Sequence, residues 1–316
     1  MKSPVLFLVG PTAVGKSKIA LEVARELCGE IVSADSMQIY RGMDIGTAKP
    51  SQSELALIPH HLIDILEPSE TFSAFEFYQK ALAAIRLIYK KGKIPIIAGG
   101  TGFYIRTLLN GISPEAGDAA EIRKKLEEDV KERGLNVLYE DLKKIDPVRA
   151  GKIMPQDKKR ILRALEIYGI SGKKPSEMTK NLNSLEDQGF APVVIGLTLE
   201  REVLYRRIEK RVEQMFENGL VKEVQQLKNA SLSKTARQAV GYKEILDFYK
   251  ERTGNGEIPQ DKIKEEIKKN TRHLAKRQWT WFRKEKGIEW LDAADPAISE
   301  VVLSRFREAN TPQKKS

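Results

Sequence analysis

The chain has 316 residues, of which 41% are hydrophobic and 31% are charged, and its formal net charge at pH 7 is +10. A chain of this length can bury a substantial core, and two domains are expected. No run approaches the ~18 consecutive apolar residues that a membrane span needs, and the single cysteine, Cys28, excludes an intramolecular disulfide and a multi-thiolate zinc site, so we expect a cytoplasmic protein without a membrane partner.

Short apolar runs alternate with amphipathic stretches over the first hundred residues. The runs are Val5–Val9, Ile31–Ser33, Leu62–Ile65 and Ile94–Ala98, and the stretches between them include Ile19–Leu27 and Phe75–Tyr89. Buried strands separated by amphipathic helices are typical of a parallel sheet that is covered by helices. The first part of the chain is therefore predicted to be α/β.

Residues Gly10 to Ser17 follow the first predicted strand, open a predicted helix and fit the pattern G-x-x-x-x-G-K-[ST] of a phosphate-binding loop. Backbone amides and the positive end of the helix can surround a diphosphate, Lys16 adds a mobile charge and Ser17 can ligate Mg²⁺. The alternative is an ordinary strand-turn-helix corner. The loop by itself does not decide between a nucleoside triphosphate such as ATP and another diphosphate.

The segment Asp35-Ser36-Met37-Gln38 directly follows the second predicted strand, which places it at the carboxyl edge of the sheet, where such folds bind their ligands. A carboxylate there can act as a general base. The alternatives for Asp35 are a helix cap and a group that organises magnesium. ATPases and GTPases usually end a long apolar strand with a magnesium-directing Asp, whereas Ile94–Ala98 ends in Gly99-Gly100-Thr101-Gly102; Asp35 or Asp64 remains available for that role.

From about residue 113 the strand-like runs stop, and apolar residues recur at helical spacing up to a polar segment before Phe190. Val193–Leu199 then resembles another strand of the same sheet. We therefore expect residues 1–112 and 191–316 to form a P-loop-like catalytic core with basic carboxyl-terminal helices. Residues 113–190 are expected to form a helical insertion domain.

The region after Leu199 is predicted to be helical and carries most of the excess positive charge. Residues 201–290 hold 22 Lys and Arg against 14 Asp and Glu, an excess of 8. Pro259 is expected to open a long helix, on one face of which lie Lys268, Arg272, Lys276 and Arg283. Such a stripe indicates a surface for a polyanion such as nucleic acid; the alternative is a solvated helix face.

Three motifs, in this order, closely resemble those of the bacterial tRNA dimethylallyltransferases, also called tRNA isopentenyltransferases: Gly10–Ser17, Asp35–Pro50 and Gly99–Tyr104. Further matches at Lys159–Glu166, Val240–Tyr242 and Leu274–Gln278 extend the resemblance over nearly the whole chain. It implies a P-loop-type parallel sheet covered by helices, with a helical insertion domain. It also implies transfer of a dimethylallyl group from dimethylallyl diphosphate to the exocyclic amine of the adenosine 3′-adjacent to the anticodon in tRNA, with Mg²⁺ as cofactor and release of diphosphate.

The same resemblance implies roles for single residues. Asp35 matches the general base, Lys16 and Arg211 match groups that grip the diphosphate, and Ser17 is the expected Mg²⁺ ligand. The expected diphosphate site comprises Gly10, Thr12, Ala13, Val14, Gly15, Lys16, Ser17 and Arg211. The expected site for the tRNA anticodon stem-loop comprises Asp35, Ser36, Met37, Gln38, Thr101, Arg123, Lys159, Arg160, Ile161, Leu162, Arg163, Arg237, Gly241, Tyr242, Lys243, Lys276, Arg277 and Arg283.

The residue types agree with this chemistry. An adenine amine is a weak nucleophile, so Asp35 can take its proton while Lys16, Arg211 and Mg²⁺ at Ser17 neutralise the leaving diphosphate. The adenine has to be flipped out of its stack to reach such a site. Gln38 has an amide suited to an adenine edge, and stabilising its own loop is an equal alternative.

Three other functions share parts of the pattern. A kinase of nucleotides or small metabolites would share the phosphate loop but does not need the basic region at 201–290. Prenylation of a free adenine nucleotide needs no tRNA-sized surface, and a non-enzymatic RNA-binding switch leaves Asp35 unexplained. His60 and His61 are interpreted as structural, and the tryptophans as mostly packed in helices. The enzyme is expected to act as a monomer.

Overall fold

The computed structural model describes residues 2–112, 120–178, 183–251 and 259–311. The strands of this part are β1 (Ser3–Val9), β2 (Glu30–Ser33), β3 (His60–His61), β4 (Pro95–Gly99), β5 (Phe190–Thr198) and β6 (Glu289–Asp292). The helices are α1 (Lys16–Glu26), α2 (Gln52–Leu57), α3 (Ala74–Lys90), α4 (Gly102–Asn110), α5 (Ala120–Arg133), α6 (Leu135–Ile145), α7 (Pro147–Ala150), α8 (Lys158–Ser171), α9 (Pro175–Met178), α10 (Arg201–Glu217), α11 (Leu220–Leu227), α12 (Tyr242–Glu251), α13 (Gln260–Phe282) and α14 (Ile298–Asn310).

The chain divides into two compact units. The sheet unit comprises residues 1–109 and 185–316, and the helical unit comprises residues 110–184. The expected second boundary lay at residue 190, but Leu185 already belongs to the sheet unit, because it is fully buried there and its N–H donates to the carbonyl of Leu108 at 2.8 Å.

In the described residues the sheet has six strands in the order β3-β2-β4-β1-β5-β6, and every neighbouring pair is parallel. This confirms the predicted α/β class with a parallel sheet. Val5 to Val9 of the central strand β1 are completely buried, as expected for a strand that helices cover on both faces. The parallel arrangement brings the carboxyl ends of β2, β4 and β1 to one edge, side by side.

Two strands differ from the sequence expectation. The strand predicted at Leu62–Ile65 is wrong: β3 comprises His60–His61, and the chain turns immediately afterwards, where Leu62 and Asp64 have φ values of 64° and 54°. The strand β6 was not predicted, because Glu289–Asp292 is a short edge strand with two exposed acidic ends and no apolar run.

Two helices of the sheet unit illustrate how sequence determines where a helix begins and which side it buries. For example, α3 begins with a capping box in which Ser73 and Glu76 satisfy each other's backbone N–H groups. Its residues Phe77, Ala81 and Ile85 recur every four positions and are completely buried. The helix expected after Pro259 is α13, and Ile263, Ile267 and Phe282 lie on its buried side. No helix in the described ranges is both long and apolar enough to cross a bilayer.

The helical unit has an apolar core of its own. Leu138, Leu142 and Ile161 are at most 1% exposed in this core, which α6 and α8 share. Asp146 is completely buried between two helices: it caps α7 through Arg149 N–H and accepts a second hydrogen bond, 2.8 Å long, from Ser176 N–H. Backbone N–H donors hold the pKa of this carboxyl below its ordinary value, despite the opposing effect of burial.

Candidate active site at the carboxyl edge of the sheet

Three loops meet where β1, β2 and β4 end. They contain Gly10–Gly15, Asp35–Gln38 and Gly100–Thr101, respectively. The second and third are tied together, because Thr101 N–H donates to Ala34 O at 3.1 Å and Thr101 Oγ1 accepts from Ser36 N–H at 3.0 Å. The sheet topology thus places the predicted phosphate loop and the predicted general base at the same edge, as expected from their positions after parallel strands.

The phosphate loop has the backbone shape that its glycines permit. Gly10 and Gly15 have φ values of 147° and 109°, and a Cβ at residue 10 would lie 2.6 Å from the carbonyl oxygen of Leu197. Gly15 is the N-cap of α1, so the loop leads directly into the positive end of that helix. Such a helix start with free amides is a ready site for an anion.

Two cations stand beside this loop. Burial lowers the pKa of the Lys16 amine to about 7; nearby Asp35 opposes this shift and Arg211 adds to it. Lys16 Nζ donates to the carbonyls of Gly10 at 3.0 Å and Pro11 at 2.7 Å.

Arg211 comes from α10, and burial lowers the pKa of its guanidinium, an effect that Asp35 opposes. Its Nη1 donates to Thr12 Oγ1 at 3.2 Å, whereas its buried Nε has no partner among the described residues. Two desolvated cations and an unpaired buried N–H in one place favour an anionic ligand, since burial of unpaired charge is costly.

Two adjoining cavities occupy this edge, with volumes of about 200 Å³ and about 180 Å³. After the ligands that the resemblance implies for this edge, we call them the diphosphate cavity and the acceptor cavity. Lys16, Ser17 and Lys18 line the first, whereas Met215 and Leu274 are among the apolar side chains of the second. The residues that line both cavities are Thr12, Asp35, Thr47, Arg211 and Gln278.

Asp35 is half-buried in the wall between these cavities. Among the described residues its carboxylate accepts one hydrogen bond, from Met37 N–H at 2.8 Å. The helix-cap alternative is wrong, since no helix follows until α2. The other carboxylate considered, Asp64, is absent from both cavities; it pairs with Lys49, whose side chain is 4% exposed. Asp35 is therefore the carboxylate that both cavities share.

The Gln38 amide lies in the diphosphate cavity but is engaged by its own chain. Its Oε1 accepts from Ser33 Oγ at 2.9 Å, and its Nε2 donates to Thr47 O at 3.3 Å and Ala48 O at 3.1 Å. Both amide protons are used in this way. The contacts favour the loop-stabilising alternative for this residue.

Two residues that contact the phosphate loop were not predicted from the sequence. Gln278 of α13 accepts from Thr12 N–H at 2.8 Å and donates to Gly100 O at 3.0 Å, so it joins the loops after β1 and β4. Arg207 of α10 donates to Val14 O at 3.0 Å. Its spacing of four residues from Arg211 was the available signal, because such residues share a helix face.

The predicted tRNA residues of the sheet unit occupy different environments. Ser36, Met37, Thr101 and Arg277 line the acceptor cavity. Arg237 pairs with Asp247 at 3.3 Å, and Lys243 is half-buried. Gly241 and Tyr242 are buried, and Tyr242 is completely inaccessible. A direct contact of the Tyr242 side chain with tRNA is therefore ruled out by packing.

The proposed basic stripe on α13 is divided. Lys268 pairs with Glu213 at 2.7 Å, and Arg272 pairs with Glu209 at 3.0 Å, so carboxylates of α10 already neutralise both. Lys276 and Arg283 are exposed and form no ion pair within the described ranges, and Arg277 shares this property. The surface available to a polyanion is thus the carboxyl-terminal half of the stripe.

In the helical unit, Ile161 and Leu162 are 0% and 7% exposed in the core, so their side chains cannot contact a ligand. Their neighbours Lys159 and Arg160 are exposed. Arg123 and Arg163 both bind the buried carboxylate of Glu166, at 2.6 Å and 2.9 Å. The predicted tRNA segment thus contains both core and surface residues, as the helical period requires.

The histidines and tryptophans have structural contacts. His61 Nε2 lies 2.8 Å from the buried Glu30 carboxylate, and His60 Nδ1 lies 2.8 Å from Ile58 O. The rings of Trp279 and Trp290 pack edge to face with centroids 4.7 Å apart. In the part of the chain that is described, no group of three or more His, Cys, Asp or Glu side chains is arranged to hold a metal ion.

The sequence of the chain is similar to those of one family of transferases. A family profile described as IPP transferase matches residues 38–285. A tRNA dimethylallyltransferase of Geobacter sulfurreducens is 42% identical over 309 residues, which are 96% of this chain and 97% of that protein.

Solved structures give the same result. The tRNA isopentenylpyrophosphate transferase of Bacillus halodurans is 37% identical, with a TM-score of 0.68 over 98% of each chain. A eukaryotic dimethylallyltransferase described as acting on tRNA is 30% identical, with a TM-score of 0.82 over 99% of this chain and 81% of that one. The parallel sheet, its phosphate loop and these similarities over nearly the full length show that the chain is a transferase and belongs to the IPP transferase family, that of the tRNA dimethylallyltransferases.

Proposed function

We propose that the protein transfers the dimethylallyl group of dimethylallyl diphosphate to the exocyclic amine of the adenosine 3′-adjacent to the anticodon in tRNA. The observation that carries this proposal is the pair of adjoining cavities with Asp35 and Arg211 in their common wall. One cavity is cationic and suits a diphosphate. The other has a mixed lining, in which apolar side chains such as Met215 and Leu274 suit an allylic group and polar side chains suit the edge of a flipped base.

The reaction exchanges one bond for another. The adenine nitrogen forms a bond to the allylic carbon, and the carbon–oxygen bond breaks with its electron pair going to the diphosphate. The proton of the amine passes to the Asp35 carboxylate, which faces the acceptor cavity. No phosphoryl group moves, so ATP is not consumed.

The leaving diphosphate is stabilised by groups of this chain. The amides of the loop and the start of α1 lie along the diphosphate cavity, with Lys16 and Arg211 beside them. Lys16 exchanges its two carbonyl partners for phosphate oxygens when the ligand binds. Binding of the anion also favours the charged form of this amine, whose pKa burial lowers to about 7.

The donor set fits a magnesium ion that is bound mainly through its substrate. Mg²⁺ commonly takes few protein ligands and keeps several waters beside phosphate oxygens. The exposed hydroxyl of Ser17 lines the diphosphate cavity and would be the ligand from the loop. When bound there, the ion would supply positive charge against the developing charge of the diphosphate.

The exposed basic residues of each unit are the proposed contacts to the phosphates of the anticodon stem-loop. They are Lys276, Arg277 and Arg283 in the sheet unit and Lys159 and Arg160 in the helical unit. Because one chain supplies every residue of the site, we propose that the protein acts as a monomer. Because tRNA is the proposed substrate, we propose that the reaction takes place in the cytoplasm.

The decisive experiment incubates the protein with tRNA, dimethylallyl diphosphate and Mg²⁺ while ATP is omitted. Mass spectrometry of the digested nucleosides should find the dimethylallyl adenosine, and diphosphate release should match it mole for mole. A modification that requires ATP hydrolysis, or phosphorylation of a small acceptor without the prenyl donor, would contradict the proposal.

A further inference from the structure

A loop without regular secondary structure forms part of both cavities. Residues 44–48, which we call the 44–48 loop, contribute Thr47 and Ala48 to the diphosphate cavity and Gly46 and Thr47 to the acceptor cavity. Helix or strand hydrogen bonds do not fix this segment. Turn hydrogen bonds such as that from Ala48 N–H to Ile45 O at 3.1 Å close the loop on itself, so its position against the two cavities depends on the contacts that it makes with other segments.

Glu223 of α11 binds this loop through three consecutive backbone N–H groups. Its carboxylate accepts from Asp44 N–H at 3.0 Å, from Ile45 N–H at 2.9 Å and from Gly46 N–H at 3.3 Å. Successive backbone N–H groups that converge in this way form a concavity for an anion. In this protein the anion is a side chain of the same chain, 177 to 179 residues further on.

Tyr242 completes the attachment. Its hydroxyl donates to Glu223 Oε1 at 2.5 Å, and its ring covers Gly46 so closely that a Cβ at residue 46 would lie 2.3 Å from a ring carbon. The completely buried side chain of Tyr242 thus acts on the loop in two ways. It supports the carboxylate and it sets the depth at which the loop lies.

The carbonyl groups of the same loop bind a residue of the site, Gln38. Thr47 O and Ala48 O accept both protons of the Gln38 amide, which Ser33 holds from the other side. Gln38 is three residues after Asp35 and lies in the same turn-forming segment. A displacement of the 44–48 loop would therefore move both the wall that the two cavities share and the Gln38 amide.

From this we infer that Glu223 is a positioning residue for the transfer reaction: its carboxylate fixes the 44–48 loop and, through it, the place where the adenine meets the allylic group. The inference rests on the proposed function. Glu223 itself lines neither cavity, so it acts through the loop and not on the substrate.

The test uses Glu223→Ala, which removes the carboxylate and leaves its donors in place. We expect kcat for prenyl transfer to fall by about 10- to 10²-fold, the scale of a misplacement of about 1 Å near the reacting groups. The dissociation constant of inorganic diphosphate should change by no more than about threefold, because its proposed contacts are Lys16, Arg211 and the amides of the phosphate loop, whereas the 44–48 loop adds only Thr47 and Ala48 to that cavity's wall. Glu217→Ala, at an exposed carboxylate near the end of α10, is the matched control.

Formate distinguishes positioning from a merely structural role. A small carboxylate can enter the vacated N–H concavity, so formate should restore part of kcat in Glu223→Ala, whereas chloride at the same ionic strength should not. Tyr242→Phe keeps the ring over Gly46 and removes the hydroxyl, so a smaller loss of kcat is expected. If Glu223→Ala fails to fold, Glu223→Gln, which keeps the volume and one acceptor oxygen, should show an intermediate kcat.

These measurements distinguish failure of the proposed function from failure of the positioning role of Glu223. A wild-type protein that makes no prenylated tRNA would contradict the proposed function itself. Wild-type activity together with an unchanged kcat in Glu223→Ala, or a loss of kcat that formate fails to relieve, would overturn the positioning role.

Discussion

Diphosphate binding should be linked to proton uptake by Lys16. Burial lowers the pKa of this amine from 10.5 to about 7, so at pH 8 only about one tenth of the ligand-free protein carries the charge. A bound diphosphate favours the charged amine and returns its pKa toward the ordinary value. Binding at pH 8 should therefore take up about 0.9 proton at this residue.

The sign of the pH dependence follows from the same values. The contribution of Lys16 to diphosphate affinity is greatest when its amine is already charged, below about pH 7, and should weaken by up to tenfold per pH unit, or about 1.4 kcal/mol, above it. The folding stability of the ligand-free protein depends on pH in the opposite direction. Between about pH 7 and 10.5 the unfolded chain binds more protons at this residue, so this group's contribution to folding stability rises with pH.

Calorimetric titration with inorganic diphosphate at pH 8, in buffers of different ionisation enthalpy, measures the proton uptake directly. Lys16→Arg is the matched control, because its guanidinium stays charged and the diphosphate contributes the same titration in both proteins. The wild type should take up about 0.9 proton more than the variant. Equal uptake by the two proteins would refute the argument.

Three further results are expected. Asp35→Asn should keep tRNA affinity and lower single-turnover rates by about 10²-fold or more, and near-normal rates would remove its role as base. Alanine at both Lys276 and Arg283 should reduce the slope of log affinity against log salt by roughly 1 to 2, whereas Arg272→Ala, at a paired residue, should leave it nearly unchanged. Glu30→Gln should lower the free energy of unfolding near pH 7 by about 1–3 kcal/mol in denaturant titrations. Burial opposes the charged form of the Glu30 carboxyl, but hydrogen bonds from Lys93, His61 and Lys91 outweigh it and lower its pKa to about 2. The stability from this carboxylate is lost as pH falls from 4.5 toward 2, and an equal, pH-independent stability in the two proteins would contradict the argument.

The elements that could be predicted from sequence are those whose buried apolar residues follow one another directly in the chain. The strands β1, β2, β4 and β5 are apolar runs, and parallel strands covered on both faces need such runs. By contrast, β6 is held at the sheet edge by hydrogen bonds to β5, and nothing in its four residues requires a strand. At β3 the prediction placed the strand at Leu62–Ile65, directly after the actual strand. Leu62 and Asp64 have positive φ values, which belong to a turn.

The residues of the site also differ in whether their positions could be predicted from sequence. The phosphate loop and Asp35 could be placed because each directly follows a strand, and parallel strands bring their ends together. Gln278 could not, because its partner Thr12 is 266 residues away and only the packing of α13 joins them. Ile161 and Leu162 lie in the same predicted tRNA segment as Lys159 and Arg160, but the helical period turns their side chains toward the core.

The way α13 lies against the loop after β4 also restricts how these sequences can diverge. A Cβ at Gly100 would lie 2.4 Å from Gln278 Nε2, and one at Gly102 would lie 2.3 Å from the ring of Trp281. Gly102 cannot be replaced while the rigid Trp281 ring stays in place, and that ring cannot shrink without opening a void beside the loop. A residue larger than Gly100 would displace the mobile end of the Gln278 side chain, which then gives up its hydrogen bond to Gly100 O. Positions 102 and 281 should therefore change as a pair in related enzymes, and genetic suppressors of a damaged Gly102 should map to Trp281 on α13.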